Sequence, residues 1–228
     1  MLKKSSVQKR RLYYFTSATW AIENVVLKRL KISDINSLND PYELSGYIVD
    51  DEKKETIRLF KEFVSGSYGI ICFSNSYQSP LMWSHYADRH RGICLGFDVH
   101  EDNCFDVFYS DSMIEFQEKF KRPVNYFTLE DLQKILSLKY IEWKLEDECR
   151  IFSPIANSIS QDGFSFEQFG KIIQLKEVIF GVKNNSDQAS LEKFISQYYE
   201  DDIKISRAVL DSKKFQVNIC DEMIESNY

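Results

Sequence analysis

The stretch SPLMWSHYADRHRGICLGFDV, Ser79 to Val99, holds His85 and His90, two of the chain's three histidines, among Trp83, Tyr86, Asp88, Arg89 and Arg91. A histidine titrates near neutrality, so His85 suits a general acid, a general base or a pocket donor; beside Trp83 it equally suits a packed, hydrogen-bonded structural role. His90 lies between two arginines and reads as a solvated helix end. A second group, EWKLEDECR from Glu142 to Arg150, places Glu146, Glu148 and Arg150 at alternate positions. On a strand alternate residues point the same way, so these three share one face and Leu145, Asp147 and Cys149 the other. Two carboxylates and a guanidinium are costly to bury unpaired, which leaves an exposed, salt-bridged strand face or a polar pocket. In a pocket, one glutamate would hold a ribose hydroxyl or stabilise positive charge. The other would orient a nucleophile, and Arg150 would hold a carboxylate or phosphate. A third group, SLNDPYE from Ser37 to Glu43, has Asn39 and Asp40 to fold a turn through side-chain-to-backbone bonds. Pro41 biases Asp40 away from helix, and Glu43 adds a carboxylate without a local partner.

Several chemistries lack their signatures. The chain has no HExxH, no GxxxxGK[ST], no GxGxxG and no GxSxG. Its histidines and cysteines do not fall at zinc spacings, so no metal site is expected. Glu43, Glu146 and Glu148 around magnesium would make a nucleotide hydrolase, on the strength only that carboxylates suit that ion. The formal net charge of −6 argues against an extended nucleic-acid surface, which relies on many Lys and Arg contacts to phosphates. The basic run KKSSVQKRR reads as a solvated tail or a local patch. Five cysteines without a CxxC pair, and no leader ahead of them, point to a reduced, cytoplasmic protein. No segment approaches 18 uncharged apolar residues, so no membrane span is expected. A chain of 228 residues buries enough surface to fold without disulfide or metal.

The elements that must position these groups read as follows. RLYYFTS is a strand ending in a Ser/Thr cap, and TWAIENVVLKRL is a helix by its apolar spacing. A second helix runs from about Glu52 to Val64, and YGIICFSNS is a buried strand. Ser79 caps a helix with Pro80 at its first position, and Gly92 ends that helix. GICLGFDV and CFDVFYS then form an antiparallel hairpin. The stretch 111–125 is mixed and charged, and suits a helical insertion or mobile cover. Residues from about Thr128 to Lys144 carry a helical pattern that runs into the strand CRIFSPI. SISQDGFSFEQFG is a hairpin or loop, IIQLKEVIFGV a strand, SDQASLEKFISQYY an amphipathic helix, and IKISRAVLDSKKFQVNI two strands. The expectation is one α+β domain of mainly antiparallel strands with flanking helices, spanning 12–222 between a basic tail, 1–11, and a C-terminal tail, 223–228.

Taken in order, NDPYE at Asn39 to Glu43, CFS at Cys72 to Ser74, LMWSHYADRHRGICLGFD, WKLEDECR and VIFG at Val178 to Gly181 resemble the bacterial DUF2971 family. That family is a domain of unknown function, and the resemblance runs from about Tyr13 to Ile219. Tyr42 stands where the family usually has Phe. The resemblance implies that Asn39, Asp40, Glu43, Trp83, His85, Tyr86, Glu146, Glu148 and Arg150 belong to the family's motif set. The layout is also similar to that of ADP-ribosyltransferases, with YYFTS as first strand, Phe73-Ser74 as second and Glu146-Asp147-Glu148 as third. That similarity implies NAD as cofactor, Glu148 as catalytic glutamate with Glu146 its partner, and Tyr14, Thr16, Ser74, His85 and Arg150 against the cofactor. Asn39, Asp40, Glu43, Trp83 and Tyr86 would line the substrate side. The first strand departs from that pattern: Tyr13, Tyr14 and Thr16 stand where a His or Arg is expected, with Arg11 the nearest substitute. In this reading Glu148 would accept a bond from the ribose 2′-hydroxyl and stabilise the oxocarbenium-like charge as nicotinamide leaves. The acceptor, protein, nucleic acid or small molecule, is open. The alternative is a non-enzymatic module binding a nucleotide or a protein in a bacterial defence or stress system.

Overall fold

The computed structural model describes residues 8–40, 42, 46–119 and 126–220, the side chains of a few helix positions aside. In chain order the elements are β1 (Lys9–Thr16), α1 (Ala18–Leu27), β2 (Arg29–Ile32), β3 (Tyr47–Ile48), α2 (Asp51–Ser67), β4 (Tyr68–Ser74) and α3 (Pro80–Tyr86). There follow β5 (Ile93–His100), β6 (Phe105–Asp106), β7 (Phe108–Ser110), β8 (Ile114–Glu115), α4 (Phe116–Lys119), α5 (Leu129–Ile135), β9 (Leu138–Tyr140) and β10 (Glu148–Pro154). The last are β11 (Ile159–Gln161), β12 (Phe164–Gln168), β13 (Ile173–Phe180), α6 (Gln188–Tyr198), β14 (Lys204–Leu210) and β15 (Val217–Cys220). The mixed α+β class with mainly antiparallel strands is borne out. The contacts divide the chain into two compact units, neither of them one continuous segment.

The first unit comprises 1–29, 73–104 and 168–228. Its strands run in the order β15-β14-β13-β5-β1, with Tyr13 of β1 also pairing Ser74 at the end of β4. Strand β5 is antiparallel to β1 on one side and β13 on the other, and β13 and β14 run parallel. The expected hairpin between GICLGFDV and CFDVFYS is therefore corrected. Strand β5 is already paired on both sides, and β6 pairs β10 instead. Buried Leu12, Phe15, Ile93, Leu95, Phe97, Val178 and Phe180 make this unit's core. The capping residues act as their types predict: Ser17 accepts from Trp20 N at the start of α1, and Ser79 from Met82 N at the start of α3 with Pro80 at its first position.

Helix α3 is shorter than its composition predicts. It ends at Tyr86, and Asp88, Arg89 and His90 take positive φ, at 43°, 54° and 69°. Gly92 serves close approach rather than a left-handed cap, because a Cβ there would lie 2.1 Å from Thr16 O. His90 is not a solvated helix end. Its ring stacks on Trp83, centroids 6.4 Å apart and planes 12° apart, and Nε2 lies 3.1 Å from Ser84 Oγ.

The second unit comprises 30–72 and 105–167. It holds most of β4, then β10 and β6 in that order, and smaller pairings of β11-β12-β2, β3-β8 and β7-β9. Ile35, Val64, Ile70 and Leu136 form one core cluster and Phe116 and Ile135 another. The hairpin β11–β12 turns at Asp162 and Gly163, both at positive φ, as a twisted two-residue turn requires. The single helix expected over 128–144 is corrected to three pieces: α5, the short strand β9 and a 3-10 helix, Ile141–Glu146. Ser137 Oγ donates to Gln133 O, closing the last turn of α5, and β9 finds backbone partners by running parallel to β7.

Candidate functional site

Four ionised side chains meet inside the second unit. Lys139 comes from β9, Glu146 from the end of the 3-10 helix, and Glu148 and Arg150 from β10. All four are between 0% and 5% exposed. Lys139 Nζ donates to Glu146 Oε2 and, at 3.1 Å, to Glu148 Oε2. Arg150 donates from Nε to Glu148 Oε1 at 2.8 Å, from Nη2 to Glu148 Oε2 at 3.1 Å, and from Nη1 to Leu136 O. The Glu148 backbone N–H donates to Tyr109 Oη at 2.9 Å.

The arrangement is a cage of two cations and two anions. Pairing and hydrogen bonding of this kind are what allow four charges to leave water. The exposed salt-bridged strand face is corrected accordingly, and so is the strand register that would align Glu146 with Glu148. Asp147, at φ 43°, turns the chain between them, and β10 begins only at Glu148.

Electrostatics follow the geometry. Burial alone would raise the Glu148 carboxyl, but the charge and hydrogen bonds of Arg150, then the charge of Lys139, outweigh it and hold the group well below the usual carboxylate range. The Cys72 thiol is pushed well above its ordinary value by burial and then by the Glu148 charge. Tyr109 is raised to about 12, chiefly by burial. Neither group is a ready nucleophile at neutral pH.

A cavity of about 410 Å³ opens beside this cage in the same unit. Lys139 belongs to both, and Tyr140, Tyr42, Asp111, Met113 and Leu138 add to its lining. Ser110 Oγ donates to Ser112 O and accepts from Ser112 N, and Ser112 Oγ donates to Asp111 Oδ1, so the rim is braced by its own side chains. Asp40 forms the expected turn, its Oδ1 accepting from Tyr42 N at 2.8 Å. Asp40 is buried, and its Oδ2 has no hydrogen-bond partner among the described residues.

The sequence-predicted residues fall into two sets. Glu146, Glu148 and Arg150 converge in the second unit, which also holds exposed Asn39 and buried Asp40. Glu43 lies outside the described residues. Tyr14, Thr16, Ser74, Trp83, His85 and Tyr86 belong to the first unit. There Tyr14 packs edge-on to Phe73, buried Ser74 bonds to Ser76 O, and Trp83 donates from Nε1 to Tyr77 O. Thr16 ends β1 opposite Ile93, His85 is exposed, and Tyr86 is half-buried beside it. Lys139, Tyr109, Asp111 and Tyr140 were not singled out by sequence. The one signal that could have found Lys139 is its place seven residues before Glu146 and nine before Glu148. Among the described residues no group of three or more His, Cys, Asp or Glu could hold a metal ion. No helix among them is long and apolar enough to cross a membrane.

Fold and site together define an α+β protein with a buried ion-pair cage beside a cavity. Residues 82–151, just under a third of the chain, match the model of the family described as Protein of unknown function (DUF2971). That bears out the DUF2971 resemblance over a span that includes the Trp83–His85 helix and the cage residues Lys139, Glu146 and Glu148 through Arg150. No curated protein and no solved structure matches the chain.

Proposed function

We propose that this protein is a small-molecule binding module, with the cavity beside the cage as its site. The observation that carries this reading is the shared residue: Lys139 lines the cavity while its ammonium is fixed by Glu146 and Glu148. A wall so held stays in place when the site is empty, and a preorganised wall spares a ligand the ordering cost. A volume of about 410 Å³ lies within the usual range for ligand sites.

The transferase reading asks more of Glu148. As a catalytic glutamate it would accept a ribose hydroxyl, yet both its oxygens already accept from Arg150 and Lys139, and it is 4% exposed. The same occupancy weighs against magnesium on Glu146 and Glu148. A nucleotide or NAD-like molecule remains within the ligand panel as a bound species rather than a reactant.

The test is calorimetric titration of the full chain with nucleotides including NAD, sugars, amino acids and quaternary amines, repeated on Tyr140→Ala, with nicotinamide release followed in the NAD samples. Saturable binding of at least one class that weakens in Tyr140→Ala is expected, without nicotinamide release. Absence of binding by every class, or binding indifferent to Tyr140, overturns the assignment. Nicotinamide release abolished in a folded Glu148→Gln variant would restore the transferase.

A further inference from the structure

We infer that the ligand of this cavity is a small organic cation, held by the wall that carries Tyr42, Tyr140 and Asp111. The inference rests on the binding role proposed above and narrows it to a chemical class.

The charges decide the sign. Lys139 is the cationic side chain lining the cavity among the described residues, and its Nζ contacts both Glu146 and Glu148. With Arg150 the cage holds two positive and two negative charges and presents no net charge to the cavity. An anion entering beside Lys139 would have to displace a buried carboxylate that then has nowhere to go. The lining's other ionised group is Asp111, exposed at the rim, so the surplus charge of the lining is negative.

The aromatic groups agree with the charges. Tyr42 is 57% exposed and Tyr140 47%, so both rings are accessible to a ligand in the cavity they line. The face of such a ring attracts an ammonium and repels an anion. Met113, also exposed, adds a polarisable thioether suited to the methyl groups of an alkylated amine. A phosphate finds no unpaired cation in this lining, whereas an alkylammonium finds the carboxylate of Asp111 and two exposed tyrosines.

Two matched pairs of probes test the charge and little else: choline against its neutral isostere 3,3-dimethyl-1-butanol, and 1-methylnicotinamide, quaternised at the ring nitrogen, against nicotinamide, with inorganic phosphate as the anion. Affinities are measured by calorimetry on the full chain. At least one cation is expected to bind roughly fivefold or more tightly than its neutral partner, the size of one ring contact at an exposed site. Asp111→Asn and Tyr140→Leu, both at exposed positions, should each erase that preference, while Tyr140→Phe keeps it. Equal affinity within both pairs, or tighter binding of phosphate, overturns the cation assignment and leaves the binding role intact if any probe binds at the Tyr140 wall. Silence of every probe together with the whole ligand panel overturns both.

Discussion

Glu148 accepts hydrogen bonds from three nitrogens of two cations, and that fixes what its removal does. Glu148→Gln keeps the volume but leaves Arg150 and Lys139 under-compensated in the interior. Unfolding in urea should show a loss of about 3–5 kcal/mol; an unchanged midpoint would mean that the cage contributes nothing to the fold. The carboxyl's depressed pKa adds a pH signature. It falls from the ordinary 4.5 to about 2, so the unfolded chain binds the proton more tightly than the native one. The stabilisation from this group is therefore complete above about pH 4.5 and is lost as pH drops toward 2. Wild-type urea midpoints should decline over that window, and those of Glu148→Gln should decline less. The alternation of Glu146, Glu148 and Arg150 exposed three of this cage's four members in the sequence. Lys139 stayed hidden because a lysine among Leu138, Tyr140 and Ile141 carries no local mark of burial. Its carboxylates reach it only after the turn at Asp147 and the 3-10 helix fold back.

Among elements, those built on local signals were legible. α1, α2 and α6 follow apolar spacing, and the caps at Ser17 and Ser79 lie where their hydroxyls can accept a helix N–H. The elements that escaped are those set by non-local partners. Leu132, Ile135, Leu136, Tyr140 and Trp143 fit a helix in sequence, yet β9 is drawn out by pairing with β7, and Phe108 N donates to Ser137 O. The end of α3 escaped for a related reason. His90 N donates to Trp83 O, Lys183 N to His90 O and Gly181 N to Gly92 O, contacts that a reading of Ser79 to Val99 alone cannot supply. Gly92 is where this packing is tightest. Gly92→Ala should destabilise the protein by at least about 1–3 kcal/mol in thermal or urea unfolding. Gly170→Ala, where a Cβ would meet nothing within 4 Å, should stay within about 0.5 kcal/mol of wild type.

For the whole molecule, charge and cysteine state govern behaviour in solution. A formal net charge of −6 leaves little to neutralise a phosphate backbone. Electrophoretic shift assays at about 150 mM salt should show no retention of duplex or single-stranded nucleic acid. Retention would require a basic surface that the summed charge does not suggest. All five cysteines are free, so melting curves with and without reductant should coincide. The reversed twist at Asp88, Arg89 and His90 has a further consequence, for digestion. Trypsin must draw a substrate out into an extended segment, and of the two exposed arginines there Arg89 sits in backbone coiled the opposite way and Arg91 follows directly after that backbone, in a stretch pinned at Trp83, Gly181 and Lys183. Cleavage after Arg89 or Arg91 should wait until the surrounding fold has opened, however accessible their side chains are.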